Sequence, residues 1–70
     1  MGVKRNPMNE PSHYTACADR LPPDGEIVMT KIDDENGVRN EQRLKRDGPL
    51  WFVPDGSMYV YYTPTHWKRN

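Results

Sequence analysis

The sequence predicts a mainly β fold, a small antiparallel meander of about four strands with an extended, proline-rich amino-terminal arm. Two observations point to the strands and one to the arm. Short β-branched and aromatic runs recur, each bounded by a turn rich in Asp, Asn, Gly or Pro. No segment carries a helical stripe of apolar residues. Pro7, Pro11, Pro22 and Pro23, with Gly2 and Gly25, leave no apolar period in the first stretch of chain.

Residues 1–20 are therefore expected to form the arm; within the proline-rich stretch 1–25, Tyr14, Ala16, Ala18 and Leu21 are the candidates for packing onto the body. A single helical turn over Thr15 to Arg20 is expected there, stopped by Pro22. The meander itself should occupy 21–67 and be followed by a basic tail, 68–70. Its first strand, 26–32, opens after the turn signal Pro23-Asp24-Gly25 and runs through Ile27, Val28, Thr30 and Ile32. Asn36-Gly37 then suits a tight reversal, because both residues tolerate positive φ.

The returning strand, 38–46, is expected to place Arg39, Glu41, Arg43 and Lys45 on one face and Val38, Asn40, Gln42 and Leu44 on the other. Glu41 to Lys45 are also strong helix formers, with Asn40 as a possible cap. Only Val38 and Leu44 are apolar, however, and they share no helical stripe, which favours the strand. Asp47-Gly48-Pro49 makes the next turn. Leu50 to Val53, the most apolar run, is expected as a central strand. Pro54-Asp55-Gly56-Ser57 matches a type I turn closed by a glycine at positive φ, and it leads into a last strand, 58–63. In that strand Met58, Val60 and Tyr62 alternate with Tyr59, Tyr61 and Thr63, so one face should cover the core and the other carry tyrosines outward. Trp67 is expected to pack on the open end of the core, with its indole N–H reaching water or a carbonyl, and His66 to fix the closing segment through a ring nitrogen.

A chain of 70 residues has room for one domain, and only 34% of them are hydrophobic, so nearly every apolar side chain must be recruited to the core. Six of the seven aromatics lie between Trp51 and Trp67, which places the expected ordered centre toward the carboxyl end. Ten basic and ten acidic residues cancel, so no overall field draws the protein to nucleic acid or an anionic membrane. The lone Cys17 rules out an internal disulfide and fits a reducing cytosol. With no long apolar segment, the expected location is cytoplasmic.

Leu21-Pro22-Pro23-Asp24-Gly25-Glu26-Ile27-Val28 followed at the far end by Thr65-His66-Trp67 resembles a family of small phage and prophage proteins classed as domain of unknown function 551. The likeness runs from about Arg20 to Trp67. A tryptophan usual before the leucine-proline pair is replaced here by Ala16-Cys17-Ala18-Asp19, and Lys68-Arg69-Asn70 stand where the family carries an apolar, proline-bearing tail. The resemblance implies phage or prophage origin, hence the cytoplasm of a bacterial host, and no defined activity.

No arrangement of residues suggests catalysis, a cofactor or a metal. His13, Cys17, Asp19 and His66 are the usual ligand types for zinc, but His13 and Cys17 form the only close pair. Cys17 with either histidine lacks the scaffold and oxyanion donors that acyl transfer needs. The five glycines fit turns or the amino terminus, not a phosphate loop. The expected function is thus non-enzymatic: an accessory protein that binds a host or phage protein, with inhibition as its mode. The candidate interface is Trp51, Tyr59 and Tyr61 rimmed by Arg39, Arg43 and Lys45. Against this stands a thin core in which the same aromatics are covered by the arm. The alternative function is nucleic-acid binding through the basic strand 39–46 and its aromatic neighbours.

Overall fold

A computed structural model describes residues 13–69. It is one antiparallel sheet of five strands: β1 (Thr15–Ala16), β2 (Ile27–Asp34), β3 (Gly37–Asp47), β4 (Leu50–Phe52) and β5 (His66–Lys68). Their spatial order is β1-β5-β2-β3-β4. The mainly β expectation holds, and β2, β3 and β4 form the meander.

Three expectations are corrected. The segment 58–63 is not a ladder strand: a single bridge, Phe52 to Tyr59, joins it to β4. The apolar run Leu50–Phe52 lies at the sheet edge, not its centre, because the central place between β3 and β5 belongs to β2. The closing segment, read as a cap and a basic tail, is strand β5, with Thr30 opposite Trp67 and Met29 opposite Lys68. Pro64 explains part of this: it ends the return from the second hairpin, is itself buried, and releases the chain across to β2. The start of the expected helical turn likewise pairs with β5, Thr15 opposite Trp67, so Thr15 and Ala16 are extended. Only the following residues make a helical turn, with the Asp19 and Arg20 N–H groups both donating to the Ala16 carbonyl.

The long hairpin β2–β3 has its tip at Glu35-Asn36, with Asp34 opposite Gly37. Only Gly37 takes a positive φ, +107°; Asn36 does not, and instead donates its N–H to Asp34 Oδ1 at 2.9 Å. Arg39 grips the same carboxylate through two nitrogens at 2.8 and 3.1 Å. The Arg39 hydrogen bond, then that from Asn36, holds the Asp34 carboxyl below its usual range.

Farther along the hairpin, Thr30 pairs with Gln42 and Ile32 with Arg39, so β3 carries one extra residue across that interval. Asn40, at φ +58°, absorbs it as a β-bulge. Asparagine is among the few non-glycine residues that visit this left-handed region readily. The bulge reverses the alternation of β3. Directly opposed residues share a face, so Arg39 joins Gln42 and Leu44 on the inner side while Arg43 and Lys45 stay outside. The single charged face expected for Arg39, Arg43 and Lys45 is therefore split.

On the inner face Val28, Leu44, Trp51 and Trp67 form the core, with Cys17, Val53, Val60 and Tyr62 packed against it. The core thus draws one residue from each of β2, β3, β4 and β5, instead of centring on the carboxyl-terminal aromatics. Thr30 is fully buried beside it and satisfies its hydroxyl by donating to the Gln42 carbonyl at 2.8 Å. Segments 17–26 and 60–64 lie over this face. The Trp67 indole N–H donates to the Arg20 carbonyl at 2.7 Å, and the Cys17 N–H donates to the Thr65 carbonyl at 2.8 Å. The Thr65 N–H reaches the Lys31 carbonyl at 3.0 Å, and the Thr65 hydroxyl accepts the Asp33 N–H at 2.8 Å. Thr65 Oγ1 also lies 2.7 Å from His66 Nδ1, which anchors that ring on β5.

Candidate functional site

The second hairpin builds the surface of interest. Val53 to Gly56 form a turn closed by the Gly56 N–H on the Val53 carbonyl at 2.8 Å, with Pro54 at its second position. Gly56 takes φ +77° and Asp55 Oδ1 accepts the Ser57 N–H at 2.9 Å, which bends the chain back along β4. The Val53 N–H donates to the Met58 carbonyl, and the Val60 N–H to the Trp51 carbonyl. These bonds hold 58–60 against the β4 edge and preserve the alternation expected from the sequence. Val60 and Tyr62 face the core; Tyr59 and Tyr61 face out. Tyr62 is tied down by a hydrogen bond from Gln42 Nε2 to its hydroxyl.

Trp51 and the two tyrosines are separated by the fold. Trp51 is 3% exposed and belongs to the core, which corrects its place in the predicted interface, whereas Tyr59 is 42% and Tyr61 92% exposed. The ring beside the tyrosines is Phe52 instead, for a simple reason. Adjacent residues of a strand point to opposite faces, so burying Trp51 turns Phe52 outward. The Phe52 and Tyr59 rings meet edge to face at 6.0 Å, and those of Tyr59 and Tyr61 at 5.4 Å. Among the described residues the exposed large apolar side chains are Leu21, Ile27, Val38, Leu50, Met58, Tyr59 and Tyr61. The last four all lie on β4 or its return, so exposed apolar surface is concentrated at this edge.

Of the predicted basic rim, Lys45 lies beside this edge, opposite Phe52, and Arg43 lies two residues farther along the same outer face. Arg39 is at the hairpin tip, engaged by Asp34, and Arg46 lies 3.5 Å from Asp24. The bulge and these ion pairs leave the nucleic-acid reading without its continuous basic face. At the far side of the sheet Tyr14 takes the Lys31 and Lys68 ammonium groups against its ring, at 4.1 and 4.9 Å. Burial, followed by the nearby Glu41 carboxylate, raises the Tyr14 phenol above its usual range, with Lys31 opposing.

Two hollows flank β4. One, of about 340 Å³, lies between the two Pro-Asp-Gly turns and is lined by Asp24, Lys45, Arg46, Asp47 and Phe52. Its two cations and two carboxylates balance. The other is a groove of about 170 Å³ among Pro49, Leu50, Trp51 and residues 59–63. It contains no charged side chain. Sequence reasoning found the outward tyrosines but missed this groove. Its signal was the company of Pro49 and Leu50, which becomes visible only once the return is known to fold back along β4.

The residues weighed for chemistry do not assemble. Cys17 is half-buried, and burial pushes its thiol up, disfavouring the nucleophilic thiolate, with Arg46 partly offsetting this. Asp19 and His13 are exposed on the arm, while His66 is held by Thr65 on β5. Among the described residues no three His, Cys, Asp or Glu side chains come together to hold a metal, and no helix is long and apolar enough to cross a membrane. Compared with known proteins, the chain matches no family model, no curated protein and no solved structure.

Proposed function

We propose that the chain is a small, non-enzymatic binding protein of phage or prophage type, which engages a host or phage protein through the edge formed by β4 and residues 58–61 and inhibits it by occlusion. The observation that carries this reading is the gathering of Leu50, Met58, Tyr59 and Tyr61 at one exposed edge. Exposed tyrosines are strongly enriched among the residues that dominate protein interfaces, because they offer large rigid area with a polar tip. Lys45 and Arg43 on the adjoining face supply a polar rim. The phage and bacterial context rests on the resemblance from Leu21 to Trp67.

The test compares immobilised wild-type protein with the double variant Tyr59→Ser/Tyr61→Ser in capture from bacterial lysate. A host or phage protein retained in stoichiometric amount by the wild type and lost from the variant is the expected result. Capture of nothing, or of the same protein by both, overturns the proposal.

A further inference from the structure

We infer that the outer face of the sheet, where it adjoins that edge, docks an acidic amphipathic helix of the partner protein, a deepening that rests on the protein-binding reading above. Ile27 and Met29 point outward from β2, because their neighbours Val28 and Thr30 are buried on the core side. Ile27 is 41% exposed, so this aliphatic stripe is open to a partner. The register sets a cation on each side of it. Met29 lies opposite Lys68 on β5 and opposite Arg43 on β3, and Ile27 lies opposite Lys45. Lys45 in turn faces Phe52, whose ring meets Tyr59, so the face continues into the edge.

Charge and width choose the occupant. The ion pairs of the described residues join Lys31 to Asp33, Arg39 to Asp34, Arg46 to Asp24 and Arg69 to Glu26, and none of them includes Arg43, Lys45 or Lys68. Lys68 stands 4.9 Å from the Tyr14 ring, a contact that positions its charge without neutralising it. The carboxylates of this face stand off the stripe, Asp33 and Glu41 toward the hairpin tip and Asp47 at the other end of β3. The complement is therefore apolar along its middle and acidic along both sides. Neighbouring strands lie ~4.8 Å apart, so the β5 and β3 cations flank β2 at about 10 Å, the width of one helix. A helix running along β2 sets its apolar stripe on Ile27 and Met29 and its acidic flanks against Lys68 and Arg43, in the way that helices ordinarily cover a sheet. An extended peptide presents only a single row of side chains to the face, too narrow to reach both cations. A nucleic-acid strand meets aliphatic surface between the cations, which gives its bases no ring to stack on. A second copy of this chain would bring the same cations against themselves.

The experiment is an NMR titration of the full ¹⁵N-labelled chain with a synthetic amphipathic helix that carries leucine along one face and glutamate on both flanks. Its controls are the same peptide with glutamine for glutamate, a scrambled peptide of the same composition, and a short oligothymidylate. The expected result is saturable shift changes at Ile27, Met29, Arg43, Lys45 and Lys68 with the acidic helix alone. Affinity should weaken about fivefold in Arg43→Glu and fall further as salt is added. Arg43 is exposed, so that variant keeps the fold, and the glutamine peptide tests the same charges on the unaltered protein. Absence of shifts, equal shifts with the glutamine or scrambled peptide, shifts with the oligothymidylate instead, or indifference to Arg43→Glu each overturns the inference. If the lysate capture yields a tyrosine-dependent partner that the acidic helix does not displace, the helix assignment falls and the protein-binding reading stands. If no partner is captured, the protein-binding reading itself has failed and this inference falls with it.

Discussion

The two tryptophans of the core are equally buried but sit in differently finished ends of the molecule. At the Trp67 end, β1 pairs with β5 and the chain turns back so that the Arg20 carbonyl accepts the indole N–H. At the Trp51 end, a single bridge and two flanking hydrogen bonds hold the return against the edge strand β4. One end is closed by the protein's own backbone. The other is an apolar, aromatic edge that few backbone bonds hold in place.

The largest expected effect removes what both ends share. Leu44 is fully buried between them, and Leu44→Ala should cost about 2–5 kcal/mol, enough to approach the whole stability of so small a domain. Chemical denaturation measures it; a loss below about 1 kcal/mol would mean that the two ends do not depend on a common core. Next comes the closed end. Trp67→Phe keeps the ring but strands the Arg20 carbonyl, and should cost about 1–3 kcal/mol with faster hydrogen exchange at Cys17 and Trp67. Trp51→Phe keeps an aromatic ring on the edge strand, where fewer backbone bonds depend on it, and should cost less; equal losses would erase the contrast between the ends.

Smaller again is Asn40→Ala, about 1 kcal/mol, because alanine resists the left-handed φ of +58° that the bulge requires. Smallest is chemical reactivity at the closed end. The Cys17 thiol is raised by burial, so at neutral pH it should alkylate more slowly than a free cysteine. The rate should climb only as pH rises beyond the ordinary thiol range; brisk alkylation at neutral pH would show that segment 17–20 opens readily.

Some of this was legible in the residues because it depends on neighbours in the chain. The reversal around Asn36 and Gly37 (though its tip is Glu35-Asn36), turn chemistry at 47–49 and 54–57, the alternation of Tyr59 and Tyr61 with Val60 and Tyr62, and the strand character of 27–32 all follow from steric rules spanning a few positions. The outward tyrosines of the candidate surface were visible for the same reason. Trp51 was misassigned because a period of two says which residues share a face but not which face is covered.

What the sequence determined by itself is therefore a β protein with these reversals and a tyrosine-bearing last hairpin. Only tertiary structure decided that Thr15 and Ala16 would pair with His66 and Trp67, that β5 would enter beside β2, and that β4 would be left at the edge. The physical reason is that backbone N–H and C=O groups are interchangeable along the chain. Which distant segment satisfies an open strand is settled by the side chains it can bury at the same time, and here Trp67 over Thr30 and Val28 won that place. Asn40 shows the same division at one residue. Its type permits a left-handed φ, but the pairing of β2 with β3 is what required one there and set Arg39 and Arg43 on opposite faces.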